Sequence, residues 1–152
     1  MISFVRVDDR LLHGQVIHAW VPFTGADMLV VVTESSSRAF IEKELTAIAG
    51  ESGCEVAALT LGEAAAFLKD AALDERRVMV IFSSIGEAFR SYEMGLDFTA
   101  LNIGNVHHTV YKKKLSSSAM ITEDEERELE KMSASGVAID VRAVPEPKAV
   151  HV

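Results

Sequence analysis

Short runs of apolar residues alternate along the chain with longer stretches in which apolar positions recur three and four residues apart. The runs predict strands at Ile2–Val7, Met28–Thr33, Glu55–Thr60, Val78–Phe82, Ala100–Ile103 and Ala138–Val144, with a weaker run at Ser117–Ile121. Most are continuous rather than alternating, as expected for strands covered on both faces of a parallel sheet.

The intervening stretches predict helices. Ile41, Leu45 and Ile48 fall on one helical face, with Ser35 to Ser37 offering a cap in front. Gly62 to Ala72 is rich in Ala and Leu, which lose little entropy in a helix. Ile85, Ala88, Phe89 and Tyr92 make a third stripe, stopped by Gly95. Thr122 and Glu125 form a capping box ahead of Leu129 and Met132, closed by Gly136. A shorter helix from about Gly14 to Trp20 turns Val16, Ala19 and Trp20 inward.

This alternation predicts a single α/β domain over 1–152: an open, doubly wound, mostly parallel sheet of about seven strands flanked by helices. Ligands of such sheets sit beyond the carboxyl ends of the strands, so the loops beginning at Asp8, Thr33, Ser83 and Gly104 are the places to look.

Composition narrows the function. At 152 residues, 49% hydrophobic and 25% charged, the chain can bury a core and is neither disordered nor low in complexity. A net charge of −8 argues against nucleic acid and anionic membrane surfaces, and Lys112-Lys113-Lys114 is too short a basic run to reverse that. One cysteine, Cys54, excludes an internal disulfide and reads as a small apolar residue. No signal peptide or membrane span is apparent, so a cytoplasmic location is expected.

The loop after the first strand carries the most chemistry. Asp8-Asp9-Arg10-Leu11-Leu12-His13-Gly14-Gln15 leaves a strand and enters a helix. A helix start attracts anions, Gly14 admits close backbone approach, and Arg10 can grip phosphoryl oxygens in a bidentate pair. Asp8 or Asp9 could hold one ring nitrogen of His13 and leave the other as a nucleophile. By composition alone, the same turn also reads as a solvated cap with surface ion pairs.

The string Val5-Arg6-Val7-Asp8-Asp9-Arg10-Leu11-Leu12-His13-Gly14-Gln15-Val16, followed by Trp20, resembles the signature of the mannose/fructose/sorbose-family IIB component of the bacterial phosphotransferase system (PTS). Leu101-Asn102-Ile103-Gly104-Asn105-Val106-His107 is similar to that family's Asn-x-Gly-Gly-x-His loop, and Ile139 to Pro145 resembles its closing strand. The resemblance spans essentially the whole chain. It implies that His13 accepts a phosphoryl group, on Nδ1, from the phosphohistidine of a IIA protein. The group then passes to a sugar held by the membrane IIC and IID subunits, with which the chain associates peripherally. Arg10 is implied to balance charge in flight, Gly14 and Gln15 to supply backbone N–H groups, and Asp9 to belong to the same phosphoryl-binding set. No metal or nucleotide is required, so no cofactor is expected.

Arg6, Ser35, Ser83, Asn105 and His107 are candidates for the rim of that site. Arg6, inside a strand, either pairs with a buried acid or reaches the site from below. Asn105 replaces the second Gly of the family's loop, in a turn where left-handed backbone angles suit Asn. His13 and His18, five apart, do not suit one helical face, so the histidines do not suggest a metal centre. His108 and His18 read as surface residues, and His151 as frayed. Lys112 to Lys114 reads as a solvated turn or part of a face for IIA, and Glu123 to Glu130 as an outer helix face. Two rivals remain: a regulatory phosphoprotein modified on His13 without sugar transport, and an anion-binding module with no covalent chemistry. The sugar and any homo-oligomeric state stay open.

Overall fold

The apolar runs form the middle of one sheet. In the computed structural model, which describes residues 1–11, 16–34, 38–50, 53–145 and 150–151, the strands are β1 (Ile2–Asp8), β2 (Met28–Val32), β3 (Glu55–Leu59), β4 (Val78–Phe82), β5 (Ala100–Asn105), β6 (Lys113–Ser116), β7 (Ala119–Ile121), β8 (Ala138–Val141) and β9 (Val150–His151). The helices are α1 (Val21–Thr24), α2 (Arg38–Ala49), α3 (Leu61–Leu68), α4 (Ile85–Glu93) and α5 (Glu123–Ala134). Strand order is β3-β2-β4-β1-β5-β8-β9, parallel except for the last pair.

Period-two alternation divides the sheet between two layers of helix. Val30, Val32, Val80 and Phe82 face a core shared with Leu61 of α3, Ile85 and Ala88 of α4, and Leu129 and Met132 of α5. Leu29, Val31, Met79 and Ile81 face the other side, where Trp20, Val21 of α1 and Ile41 of α2 cover them. Both faces are apolar because both are buried, hence the continuous runs. Each fully buried Val, Leu, Ile, Phe or Met side chain among these contributes roughly 1.5–3 kcal/mol.

The helix ends follow local chemistry. Thr60 and Thr122 each form a reciprocal capping box, with Glu63 and Glu125, and Ser84 accepts the N–H of Glu87 at the start of α4. α1 follows a wide turn at Val16–Trp20, takes Pro22 in its first turn, and stops at Gly25 with φ of 69°. Glycines 95 and 136, with φ of 103° and 105°, lie just past α4 and α5. Ile41 is buried as its stripe predicts, whereas the side chains of Leu45, Ile48 and Val16, and residues Ser35 to Ser37, lie outside what is described.

Four expectations need correction. The run at Ser117–Ile121 does not join the main sheet; its last three residues form β7, which pairs antiparallel with β6 in a separate hairpin. The predicted strand Ala138–Val144 ends at Val141, because the carbonyls of Arg142 and Ala143 turn to the Arg6 guanidinium instead of a neighbouring strand. The seventh strand is β9, which pairs with β8 through His151, the residue expected to fray. The helix expected to reach Ala72 stops at Leu68, since Asp70 caps a new short turn at Ala71–Leu73. No described helix is long and apolar enough to cross a membrane.

Candidate functional site

β1 and β5 are neighbours, yet the chain leaves them in opposite directions, toward β2 and toward β8. Such divergence opens a crevice at the carboxyl ends of the strands. Phe4, Arg6 and Asp8 of β1 share the face toward Trp20, and this brings two opposite charges into the layer beneath the crevice.

Arg6 and Asp8 have no solvent-exposed side-chain surface. All five guanidinium N–H groups are used. Nε and Nη2 donate to Asp8 Oδ2 at 3.2 and 2.9 Å, Nη1 to Asn102 Oδ1 at 2.5 Å and the Arg142 carbonyl at 3.1 Å, and Nη2 to the Ala143 carbonyl at 2.8 Å. Its Cζ lies 4.8 Å from the centre of the Trp20 ring, whose indole N–H also donates to Ala143, at 2.9 Å. Burial pulls the Arg6 guanidinium below its ordinary value, and the charge and hydrogen bonds of Asp8 oppose that pull. A buried cation so completely satisfied is a structural brace, and of the two readings of Arg6 the buried pair is the one observed.

Asp8 passes this order to the loop. Its Oδ1 accepts the backbone N–H of Arg10 at 2.8 Å, and its Oδ2 accepts Asn105 Nδ2 at 3.0 Å. Asn105 meets Asp8 because the β1–β5 register slips between Val7 and Asp8, leaving Gly104 as an extra residue in β5. Bulges of this kind re-aim a side chain. A Cβ on Gly104 would lie 2.2 Å from Arg6 Cζ, so the glycine makes room for the guanidinium. The left-handed backbone expected at Asn105 is not adopted, since no described non-glycine residue has positive φ. Its side chain is buried, at 4% exposure, against Asp8.

Asp9 takes a different partner. Its N–H donates to the Asn105 carbonyl at 2.8 Å, and its carboxylate accepts the His107 N–H at 2.6 Å and sits 3.1 Å from His107 Nδ1. His107 is thereby fixed beside the loop. Arg10 is exposed, with its backbone anchored on Asp8. His13, Gly14, Gln15 and Ser35 lie outside the described residues. Ser83 is close to the end of β4, but its hydroxyl donates to the buried carboxylate of Glu87, which also receives the Glu34 N–H at 2.9 Å and the Ser84 hydroxyl.

Residues not singled out from the sequence complete the support. Asn102 donates to Asp140 Oδ2 and the Arg142 carbonyl, both at 3.3 Å, and Arg142 Nε donates to the same carboxylate at 3.1 Å. The alternation of β1 places Arg6 and Asp8 on one face, but nothing local pairs them with residues about a hundred positions away. The basic run is not simply solvated: Lys112 pairs with Glu126 at 2.8 Å and Lys113 lies 3.9 Å from it. Glu125, expected on the outer face of α5, is buried at 8% exposure and pairs with His108 at 2.8 Å.

Comparison with known proteins agrees with this architecture. The family model of the PTS system sorbose subfamily IIB component matches residues 2–152. The N-acetylgalactosamine-specific phosphotransferase enzyme IIB component 1 of Escherichia coli K12 is 28% identical over 145 residues, covering 95% of this chain and 91% of that protein. The sorbose-specific EIIB component of Lacticaseibacillus casei is 27% identical over 144 residues, covering 95% and 88%. The crystal structure of the PTS N-acetylgalactosamine-specific IIB component 1 from E. coli superposes with a TM-score of 0.92 at 25% identity, over 100% of this chain and 99% of that one. Match, length and strand arrangement agree: the chain belongs to the sorbose subfamily of PTS IIB components.

Proposed function

We propose that this chain, as one IIB domain over 1–152, carries a phosphoryl group on His13 between a IIA protein and a sugar held by membrane IIC and IID subunits, working on the cytoplasmic side of that permease. The observation that carries this reading is the string Asp8 to Gln15, which begins at the carboxyl end of central β1 with Asp8 braced by Arg6 and Asn105.

The His13 Nδ1 lone pair attacks phosphorus, and the N–P bond of the IIA phosphohistidine breaks with its electron pair left on the donor imidazole. In the second step a sugar hydroxyl attacks, the His13 N–P bond breaks, and the hydroxyl proton leaves to solvent or a base of the permease. Charge spreads over the phosphoryl oxygens in flight, so positioning and electrostatics dominate. Arg10 meets that charge with a bidentate pair from an anchored backbone, while the N–H groups of Gly14 and Gln15 bind the oxygens. Asp9 serves the site by holding His107 at its edge rather than by touching phosphate, since a carboxylate only accepts hydrogen bonds.

The test is intact mass after incubation with phosphoenolpyruvate, the general phosphotransferase proteins and a IIA partner. One acid-labile, base-stable phosphoryl group is expected on the wild type and none on His13→Ala. No gain with several active IIA proteins refutes the reading. No observation favours the regulatory alternative: Asn105, the departure from the family's loop, braces Asp8 with its side chain. Phosphorylated protein that forms no sugar phosphate with IIC/IID membranes would restore it.

A further inference from the structure

Asn105 stands where the resembled loop has its second glycine, yet its backbone has no need of glycine and its side chain is buried. It reaches the β1 loop twice. Its carbonyl accepts the Asp9 N–H at 2.8 Å, and its amide Nδ2 donates to Asp8 Oδ2 at 3.0 Å. The first contact would survive replacement by glycine; the second would not. Across the same carboxylate, Asp8 Oδ1 holds the Arg10 N–H at 2.8 Å.

We infer that Asn105 is a positioning residue for phosphoryl transfer: from the bulge in β5 its amide clamps the Asp8 carboxylate, and through Asp8 it fixes the Arg10 backbone three residues ahead of His13. The inference rests on the phosphocarrier reading and adds to it a part that a glycine could not perform. A carboxylate held at one oxygen by Arg6 alone can rotate about its Cβ–Cγ bond. A third N–H on that oxygen, coming from another strand and another direction, restricts the rotation and keeps Oδ1 under Arg10. The amide also suits the charges present. Arg6 and Asp8 from β1, with Asp140 and Arg142 from the β8 end, already pair charge with charge, so a neutral donor suits this point.

Two substitutions separate positioning from mere packing. In Asn105→Gly, single-turnover transfer at saturating IIA should fall by about tenfold, the size of one hydrogen bond to a charged acceptor, with half-saturation by IIA unchanged. Amide exchange at Arg10 should quicken by a similar factor, about tenfold, since its acceptor is released. In Asn105→Asp, a protonated carboxyl can donate to Asp8 as the amide does, whereas an ionised one places two like charges together. Transfer relative to wild type, and protection of the Arg10 amide, should therefore be near normal at low pH and fall as the shared proton is lost. Wild-type transfer and wild-type Arg10 exchange in Asn105→Gly would overturn the clamp. So would an Asn105→Asp to wild-type ratio that does not vary with pH. If the wild type takes no phosphoryl group at all, the phosphocarrier reading fails instead, and Arg10 exchange alone then decides whether Asn105 holds the loop.

Discussion

Replacing Gly104 by alanine is the smallest change that tests the buried cation. The added Cβ would lie 2.2 Å from Arg6 Cζ and Nη2 and 2.6 Å from Nη1, where ordinary contact begins near 3.4 Å. The guanidinium would have to retreat by about 1.2 Å. It has little freedom to do so, because the Trp20 ring lies against it and five hydrogen bonds to four acceptors hold its N–H groups. Overpacking costs about 1–3 kcal/mol, and breaking a buried pair costs about 3–5 kcal/mol. A loss of about 3–5 kcal/mol is therefore expected, a large part of the ~5–15 kcal/mol available to a domain. Equilibrium urea unfolding followed by circular dichroism measures it as a lower midpoint with the slope unchanged. Gly62→Ala is the control. That glycine lies in α3 with nothing within 4 Å of a Cβ, so alanine should be neutral or stabilise by up to about 1 kcal/mol. A Gly104→Ala protein within about 1 kcal/mol of wild type would show that the close approach to Arg6 does not govern this site.

Two further substitutions address the chemistry and the surface. Arg10→Ala should slow transfer within the IIA complex by at least about a hundredfold while docking affinity changes little, because the charge acts on the phosphoryl group in flight. Collapse of docking with normal single-turnover transfer would refute that role. Lys112 holds the Glu126 carboxyl below its ordinary value, chiefly by hydrogen bonding. The folded state therefore binds this proton less readily than the unfolded one. The contribution is full above the unfolded value and is lost as pH falls through the lower folded value. Glu126→Gln should narrow its stability difference from wild type as the solution is acidified, and a difference constant from neutral to strongly acid pH would contradict the pairing.

The sheet was legible where burial left a mark on composition. β2 and β4 are buried at every position, so their five-residue runs stood out, and the Thr122 capping box announced α5. β6 carried no such signal, because Lys113 and Lys114 are exposed and its partner is only three residues long. The loop of Asp8 to Gln15 was legible by its residue types and by resemblance. Its support was not. Arg6 draws on Asn102, Arg142 and Ala143, 96 to 137 residues away, and Asp9 on His107, 98 away. Such partners meet only after the sheet order has set β1 beside β5 and β5 beside β8. Asn105 was read as a backbone substitution because the bulge that redirects it is a property of register, which no single strand displays.

The contacts of Arg6 also bear on how the chain is made. β1 is made before every strand it pairs with, and two of its arginine's five donors wait for the carbonyls of Arg142 and Ala143, which follow β8. Until those arrive, a cation destined for the interior lacks acceptors, and a partly emerged sheet gains little by closing over it. β1 is thus locked by the segment that follows β8. The sheet should therefore form as one cooperative event after synthesis rather than strand by strand, at the slow pace that such distant contacts impose.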